Sequence, residues 1–305
     1  MRTVIIIIPI LNEEELLEKF YISLKKKCLE IKRYKFKFLF VVDKSKDNTE
    51  TIIDKICNID KQCSSIIMDD IYGHQECLYA GLVHSKTFDL IITMDGDFQH
   101  PIDLVEKMIL ENEAGADAVF TVKKIKFKKN IITKFLTNCF YICFNFISEQ
   151  KLLNNSSDFR LVSKKILNQL LEKKYNSVPF LRGEFFKLSN RKKILTFNLE
   201  DRDIGSSKFT IFRLFKLAFL GLFLNYKRPI KIIFVSFVIS LFSKFFLLDS
   251  FSSENNEIIY LLTNYILILL ILTSFIVIIF WISSKIFIKK SKDKIYQIKK
   301  KINIK

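Results

Sequence analysis

Four short apolar runs, at residues 3–8, 36–42, 64–68 and 89–94, are each followed by a segment whose apolar residues recur at helical spacing, and a fifth run spans 117–122. This alternation restricts the fold more than any other feature of the chain. TVIIII at 3–8 is β-branched and apolar at every position after the first, and Leu16, Leu17, Phe20 and Leu24 then mark one face of a helix. The later pairs are 36–42 with 48–57, 64–68 with 74–86, and 89–94 with 102–114. Strands apolar on both faces need cover on both faces, which the intervening helices provide. The predicted class is α/β, with a mostly parallel, Rossmann-like sheet. From 130 to 200 the pattern is less regular: an apolar helix (ITKFLTNCFYICFNFI), a turn leading into a helix (SSDFRLVSKKILNQLL) and a strand (KKILTFNLE).

The C-terminal third is different in kind. Residues 229–248 and 258–282 are apolar runs of about the 20 residues that cross a bilayer core. DSFSSENNE between them carries three acids and no base, whereas the segment from 283 onward carries nine lysines against one aspartate. By the positive-inside rule, the tail and the large N-terminal part are expected in the cytoplasm and the acidic loop outside, in a multi-pass inner-membrane protein. Residues 207–227 interleave Phe and Leu with Lys and Arg, as an interfacial helix requires. The expected organisation is therefore 1–206 as a cytoplasmic domain, 207–228 as an amphipathic helix, 229–284 as a two-helix membrane hairpin and 285–305 as a basic tail. The apolar start of the chain is too short for a signal peptide and acids follow it, so it reads as a strand. A formal charge of +17 would suit nucleic acid, but the lysines crowd near the apolar spans, and anionic lipid is the more economical partner. The six cysteines form no C-x-x-C pair and are expected as reduced thiols.

In such sheets, ligands bind beyond the carboxyl ends of the strands. Asn12 and Glu13 follow the first strand, Asp43 and Asp47 the second, and Asp95, Asp97 and Gln99 the fourth, so three polar clusters converge on one cleft. The fourth is the most telling. In ITMDGDFQHP an aliphatic run stops at two aspartates one residue apart, and two such carboxylates can share one hard cation while leaving coordination positions open for phosphate oxygens. Alone, the same pair also fits a solvated turn.

In order along the chain stand PILNEE (9–14), VVDKSKDNT (41–49), GHQECLYAGL (73–82), MDGDFQHP (94–101), SDFRLVS (157–163), FLRG (180–183) and RDIGSSKF (202–209), with two apolar spans after them. This series resembles the family-2 nucleotide-sugar glycosyltransferases of GT-A fold, in the branch that uses polyprenyl-phosphate acceptors, such as undecaprenyl-phosphate glucosyltransferases and dolichol-phosphate mannose synthases. The resemblance covers nearly the whole chain. It implies that Pro9, Asn12, Glu13 and Asp43 line a nucleoside pocket, that Asp95, Asp97 and Gln99 hold Mg2+ or Mn2+, and that Asp95 also lies near the ribose and diphosphate. It places Asp158, Arg160, Arg182, Arg202, Ser207 and Lys208 at the sugar and the acceptor phosphate. Arginine forks and a lysine suit a phosphate, and a metal suits a departing diphosphate. Read from the residues alone, Asp158 also fits a helix cap, Arg160 and Arg182 fit surface ion pairs, Lys208 fits a headgroup contact, and His74 and His100 fit polar loop groups.

Two departures stand out. The family's Asp-Asp-Gly-Ser is Val42-Asp43-Lys44-Ser45 here, and a common arginine after the fifth strand is Lys123 or Lys124. The resemblance implies an inverting transfer from a UDP- or GDP-sugar to a polyprenyl phosphate, with Asp158 as a polar assistant at the sugar and no nucleic-acid partner. A homo-oligomer is left open, as is the identity of the sugar. The rival expectations are a processive polysaccharide synthase and a catalytically silent scaffold of the same fold.

Overall fold

A computed structural model of the chain describes residues 1–124, 153, 155–173, 175, 178–198, 264–265, 268, 271–272, 275, 279, 282 and 296–304. Contacts divide the chain into two units, one of 1–145, 150–207 and 294–305, the other of 146–149 and 208–293.

In the first unit, the strands are β1 (Arg2–Ile10), β2 (Tyr34–Val42), β3 (Cys63–Met68), β4 (Leu90–Thr93), β5 (Ala118–Lys124), β6 (Ser156–Ser163), β7 (Lys192–Asn198) and β8 (Ile298–Ile302). They form one sheet in the order β7-β5-β6-β4-β1-β2-β3-β8. The helices are α1 (Leu17–Glu30), α2 (Thr49–Ile59), α3 (His74–Val83), α4 (Leu104–Glu113), α5 (Lys164–Glu172) and α6 (Leu181–Leu188).

The continuous apolar runs are explained by burial on both sides of the sheet. Along β1, Val4, Ile6, Ile8 and Ile10 enter one core with Leu17, Phe20 and Leu24 of α1, Ile53 of α2 and Met108 of α4. Ile5 and Ile7 enter the other, with Leu78 and Leu82 of α3, Leu167 of α5 and Phe185 of α6. Successive side chains on a strand point to opposite faces, so a strand covered twice has no polar register. The expected α/β class and mostly parallel centre are present: β1 pairs in parallel with β2 and β4, and β2 with β3.

Three features differ from the expectations. Residues 156–163, expected as a turn, are a strand that enters between β4 and β5, antiparallel to both. Its polar residues disguise it, because Ser157, Asp158 and Arg160 are buried within it. Helix α6 was not anticipated. Nor is the end of the chain merely a solvated basic tail. β8 pairs antiparallel with β3, Lys299 reaches Glu50 at 2.8 Å and Lys300 reaches Asp54 at 2.6 Å. Asn303 closes it, with Nδ2 donating to the carbonyls of Cys57 (2.6 Å) and Cys63 (2.9 Å). Lysine on an outermost strand reads as solvated in sequence because it is solvated in the fold.

In the second unit, the described residues include helical Tyr265, Ile268, Leu272, Phe275, Ile279 and Ile282, all exposed. Among the described residues no helix is long and apolar enough to cross a membrane. The expected span at 229–248 and the interfacial helix at 207–228 lie outside the described residues, as does most of the span at 258–282. Cys28, Cys57, Cys63 and Cys77 are buried free thiols, while Cys139 and Cys143 lie outside the described residues.

Candidate active site

The parallel strands deliver their ends to one rim of the sheet. Because β6 runs antiparallel to β4, with Arg160 opposite Thr93, the start of β6 arrives at that same rim. Ser157 and Asp158 are thereby brought to the loop that carries Asp95 and Asp97.

The loops after β1 and β2 are tied together by backbone donors. Asn12, in the left-handed region at φ 52°, donates its N–H to Ser45 Oγ (3.1 Å) and accepts from Lys46 N–H at Oδ1 (2.8 Å). Glu13 N–H donates to Thr49 Oγ1 at 3.0 Å, and Glu14 N–H to Asp47 Oδ2 at 3.2 Å. Pro9 sits on β1 opposite Val41. Asp43 is buried, and both of its oxygens are occupied: Oδ1 accepts from Tyr72 N–H (2.9 Å) and Oδ2 from Gly73 N–H (2.8 Å). Asp43 therefore shapes the β3–α3 loop, a contact that its position at a strand end did not reveal. Gly73 adopts φ 109°, ψ 170°, a region essentially restricted to glycine.

Asp95 follows β4 with its side chain 30% exposed. Oδ1 has no hydrogen-bond partner and lies 3.6 Å from His74 Nε2. Asp97 accepts from Gln99 N–H at 3.2 Å, which keeps Gln99 in the same turn. At Gly96, between the aspartates, a Cβ would come 2.5 Å from Ile10 Cδ1, so any larger residue requires that side chain to shift.

Asp158 is 5% exposed and ringed by cations. Arg160 Nη2 and Arg182 both engage it, the latter from Nε (3.0 Å) and Nη2 (2.5 Å), and His74 Nε2 lies 3.4 Å away. Burial works to raise its pKa, but Arg182 and then Arg160 hold it well below the usual carboxylate range. Burial pushes the Arg160 pKa down to about 10, against the raising effect of Asp158, and its Nε and Nη1 lack hydrogen-bond partners. The guanidinium lies 5.6 Å from the Phe185 ring centre. For His74 burial opposes the charge, yet the hydrogen bond to Asp158 and the Asp95 charge raise its pKa overall.

The structure thus gathers Asp95, Asp97, Gln99, Asp158, Arg160 and Arg182 at one rim and keeps Asn12, Glu13 and Asp43 in the adjoining loops. Asp158 caps no helix, and Arg160 is no surface ion-pair partner. Arg202, Ser207 and Lys208 lie outside the described residues. His74 and His100, read as loop groups, both face the carboxylates. Their adjacency to the G-H-Q-E and D-F-Q-H-P motifs was the available signal.

The sequence profile described as "Glycosyl transferase family 2" matches residues 5–171, from β1 into α5. The chain belongs to glycosyl transferase family 2. The match takes in Asp43, Asp95, Asp97, Asp158 and Arg160, whereas Arg182 falls beyond it. Among known proteins this glycosyltransferase is similar to the "Bactoprenol glucosyl transferase" of Shigella phage SfX, at 27% identity over 250 residues, 80% of this chain and 81% of the relative. It is also similar to the "Prophage bactoprenol glucosyl transferase homolog" of Escherichia coli (strain K12), at 29% identity over 227 residues, 74% of this chain and 73% of the relative. Among solved structures it has a distant likeness, at 14% identity and TM-score 0.48, to glucosyl-3-phosphoglycerate synthase from Mycobacterium tuberculosis, covering 72% of this chain and 77% of that one.

Proposed function

We propose that this glycosyltransferase moves one sugar, with inversion, from a nucleoside diphosphate sugar to a polyprenyl phosphate at the cytoplasmic face of a membrane. The observation that carries the reading is the meeting of two unlike groups across the β4–β6 pair: the carboxylate of Asp95, with an oxygen that accepts no hydrogen bond, and the two arginines gathered on Asp158. Two guanidiniums on one carboxylate leave a net positive charge in a half-enclosed setting, which favours a phosphate. A phosphate acceptor is already anionic near neutral pH and can attack the anomeric carbon without a strong base. That suits Asp158, which is held ionised and occupied, so its part is to orient Arg160 and Arg182 rather than to take a proton. This replaces the expected role of an assistant at the sugar.

The residues also fit a divalent cation. Among the described residues no three His, Cys, Asp or Glu side chains converge enough to hold an ion by themselves. Asp95 Oδ1 is a buried acceptor without a hydrogen bond, and Asp97 stands two residues away, so the pair would hold Mg2+ or Mn2+ together with diphosphate oxygens. When bound, such an ion neutralises charge on the departing diphosphate. The chain's own part is positioning: the rim fixes the carboxylates and the arginines at separate points between which the sugar passes.

The names of both relatives support a polyprenyl acceptor, with glucose as a candidate sugar. The membrane setting is supported by the sequence of 229–282 and by the exposed apolar side chains at 265–282. β7 and β8 belong to one sheet, so any crossings between residues 198 and 296 are even in number, as two spans would be.

The test is incubation of membranes containing the full chain with radiolabelled UDP-glucose, UDP-N-acetylglucosamine and GDP-mannose, followed by lipid extraction. The expected result is label in an acid-labile lipid phosphate ester from one donor, lost with EDTA and restored by Mn2+ or Mg2+. Label in polymer alone, or none from any donor, overturns the proposal.

A further inference from the structure

His100 lies outside every role assigned so far, yet its side chain is fully buried, 5.0 Å from the Phe159 ring centre in a stacked arrangement and edge-on to Phe197 at 5.7 Å. Its two nitrogens are not interchangeable. The backbone N–H of Asp95 points at Nδ1 from 3.0 Å, and a backbone N–H can only donate. Nδ1 must therefore offer a lone pair, which puts the ring proton on Nε2. That nitrogen lies 2.6 Å from Ser157 Oγ, which accepts from it and also from Phe159 N–H at 3.3 Å. The imidazole is thus fixed in one tautomer and one orientation, with each nitrogen spoken for.

The two partners give this arrangement its meaning. One is Asp95 itself, and the other is the residue before Asp158. The paired ladder between β4 and β6 runs only as far as Thr93 and Arg160, where β4 ends, and beyond it the Thr93 hydroxyl donates to the Asp158 carbonyl. The ring spans the interval where the ladder has stopped. The turn it closes holds Phe98 at φ 59°, an unfavourable conformation for a bulky residue, so the turn needs an external constraint to persist.

We infer that His100 is a positioning residue: its Nε2–H tautomer bolts the Asp95 turn to the start of β6 and so fixes the separation between Asp95 and Asp158. The inference rests on the proposed reading, in which Asp95 serves the donor side and Asp158 the acceptor side of the transfer.

The full chain in detergent, labelled with 15N-histidine, gives signals from only three histidines, and His100→Phe identifies the one at issue. The expected spectrum has an unprotonated Nδ1 and a protonated Nε2. In His100→Phe, which keeps a ring for packing, exchange of the Asp95 amide rises at least about tenfold, and kcat for transfer from UDP-glucose falls about 10–100-fold, as losses of supporting contacts do. His100→Asn, whose Oδ1 can take the place of Nδ1 but which places no donor at Ser157, restores amide protection at Asp95 and leaves kcat within about threefold of His100→Phe. A protonated Nδ1 in the wild type overturns the inference, as does a His100→Phe protein with unchanged kcat or unchanged exchange at Asp95. If the wild type transfers no sugar to lipid, the transferase reading fails separately, and the tautomer and the exchange rates still decide whether the imidazole is the bolt.

Discussion

Arg182 meets Asp158 side-on, with Nε 3.0 Å from Oδ1 and Nη2 2.5 Å from Oδ2, a two-point fork that lysine cannot reproduce. Hydrogen bonds to charged groups contribute about 1.5–3 kcal/mol, so Arg182→Lys should lower kcat/KM roughly 10–100-fold while leaving the folded state intact. Steady-state kinetics beside a melting curve check this. A lysine variant with wild-type kinetics would show that charge alone is needed at this position.

Removal of the carboxylate should act on folding instead. Arg160 is buried beside Asp158 with two nitrogens already unpartnered, and stripping the compensating charge from a buried pair costs about 3–5 kcal/mol. Asp158→Ala is therefore expected to lower the denaturant midpoint strongly. Asp158→Ala paired with Arg160→Met should recover part of the loss, measured by urea unfolding of the full chain in detergent.

Gly73 holds φ 109°, ψ 170° while its N–H feeds Asp43. An alanine there must carry about 1–3 kcal/mol of backbone strain or abandon that bond. Gly73→Ala should lower the melting temperature and loosen the loop, seen as faster amide exchange at Tyr72 and residue 73. Unchanged exchange at both would contradict the strain argument.

Asp89 accepts from the N–H of Thr3 at 2.7 Å and from its hydroxyl at 2.8 Å, and these bonds hold its pKa below the ordinary 3.8. A carboxylate depressed in the folded state stabilises above its unfolded pKa, and the contribution is lost as pH falls through the folded value. Unfolding free energy should accordingly decline as pH drops below about 4, and Asp89→Asn should flatten that part of the curve. Equilibrium unfolding at several pH values measures both slopes.

Much of the sheet could be read from residues 1–122 because its strands are buried twice over and announce themselves as unbroken apolar runs. The ends of those runs also marked Asp95 and Asp97. What escaped was carried by polar residues whose partners are remote in sequence. β6 looked like a turn because Asp158 and Arg160 neutralise each other inside it, and nothing local says so. Asp43 was legible as an acid at a strand end, but not that its two oxygens meet backbone N–H groups about thirty residues on, a contact visible only once β3 and α3 are placed. His100 carried no periodic signature, since its importance lies in which atoms meet its two nitrogens.

The outermost strand has a temporal side. Residues 296–304 leave the ribosome long after β3 does, so the free border of β3 waits, open to any extended peptide, until everything in between has been synthesised. A chain lacking residues 296–304 would leave that border bare for good.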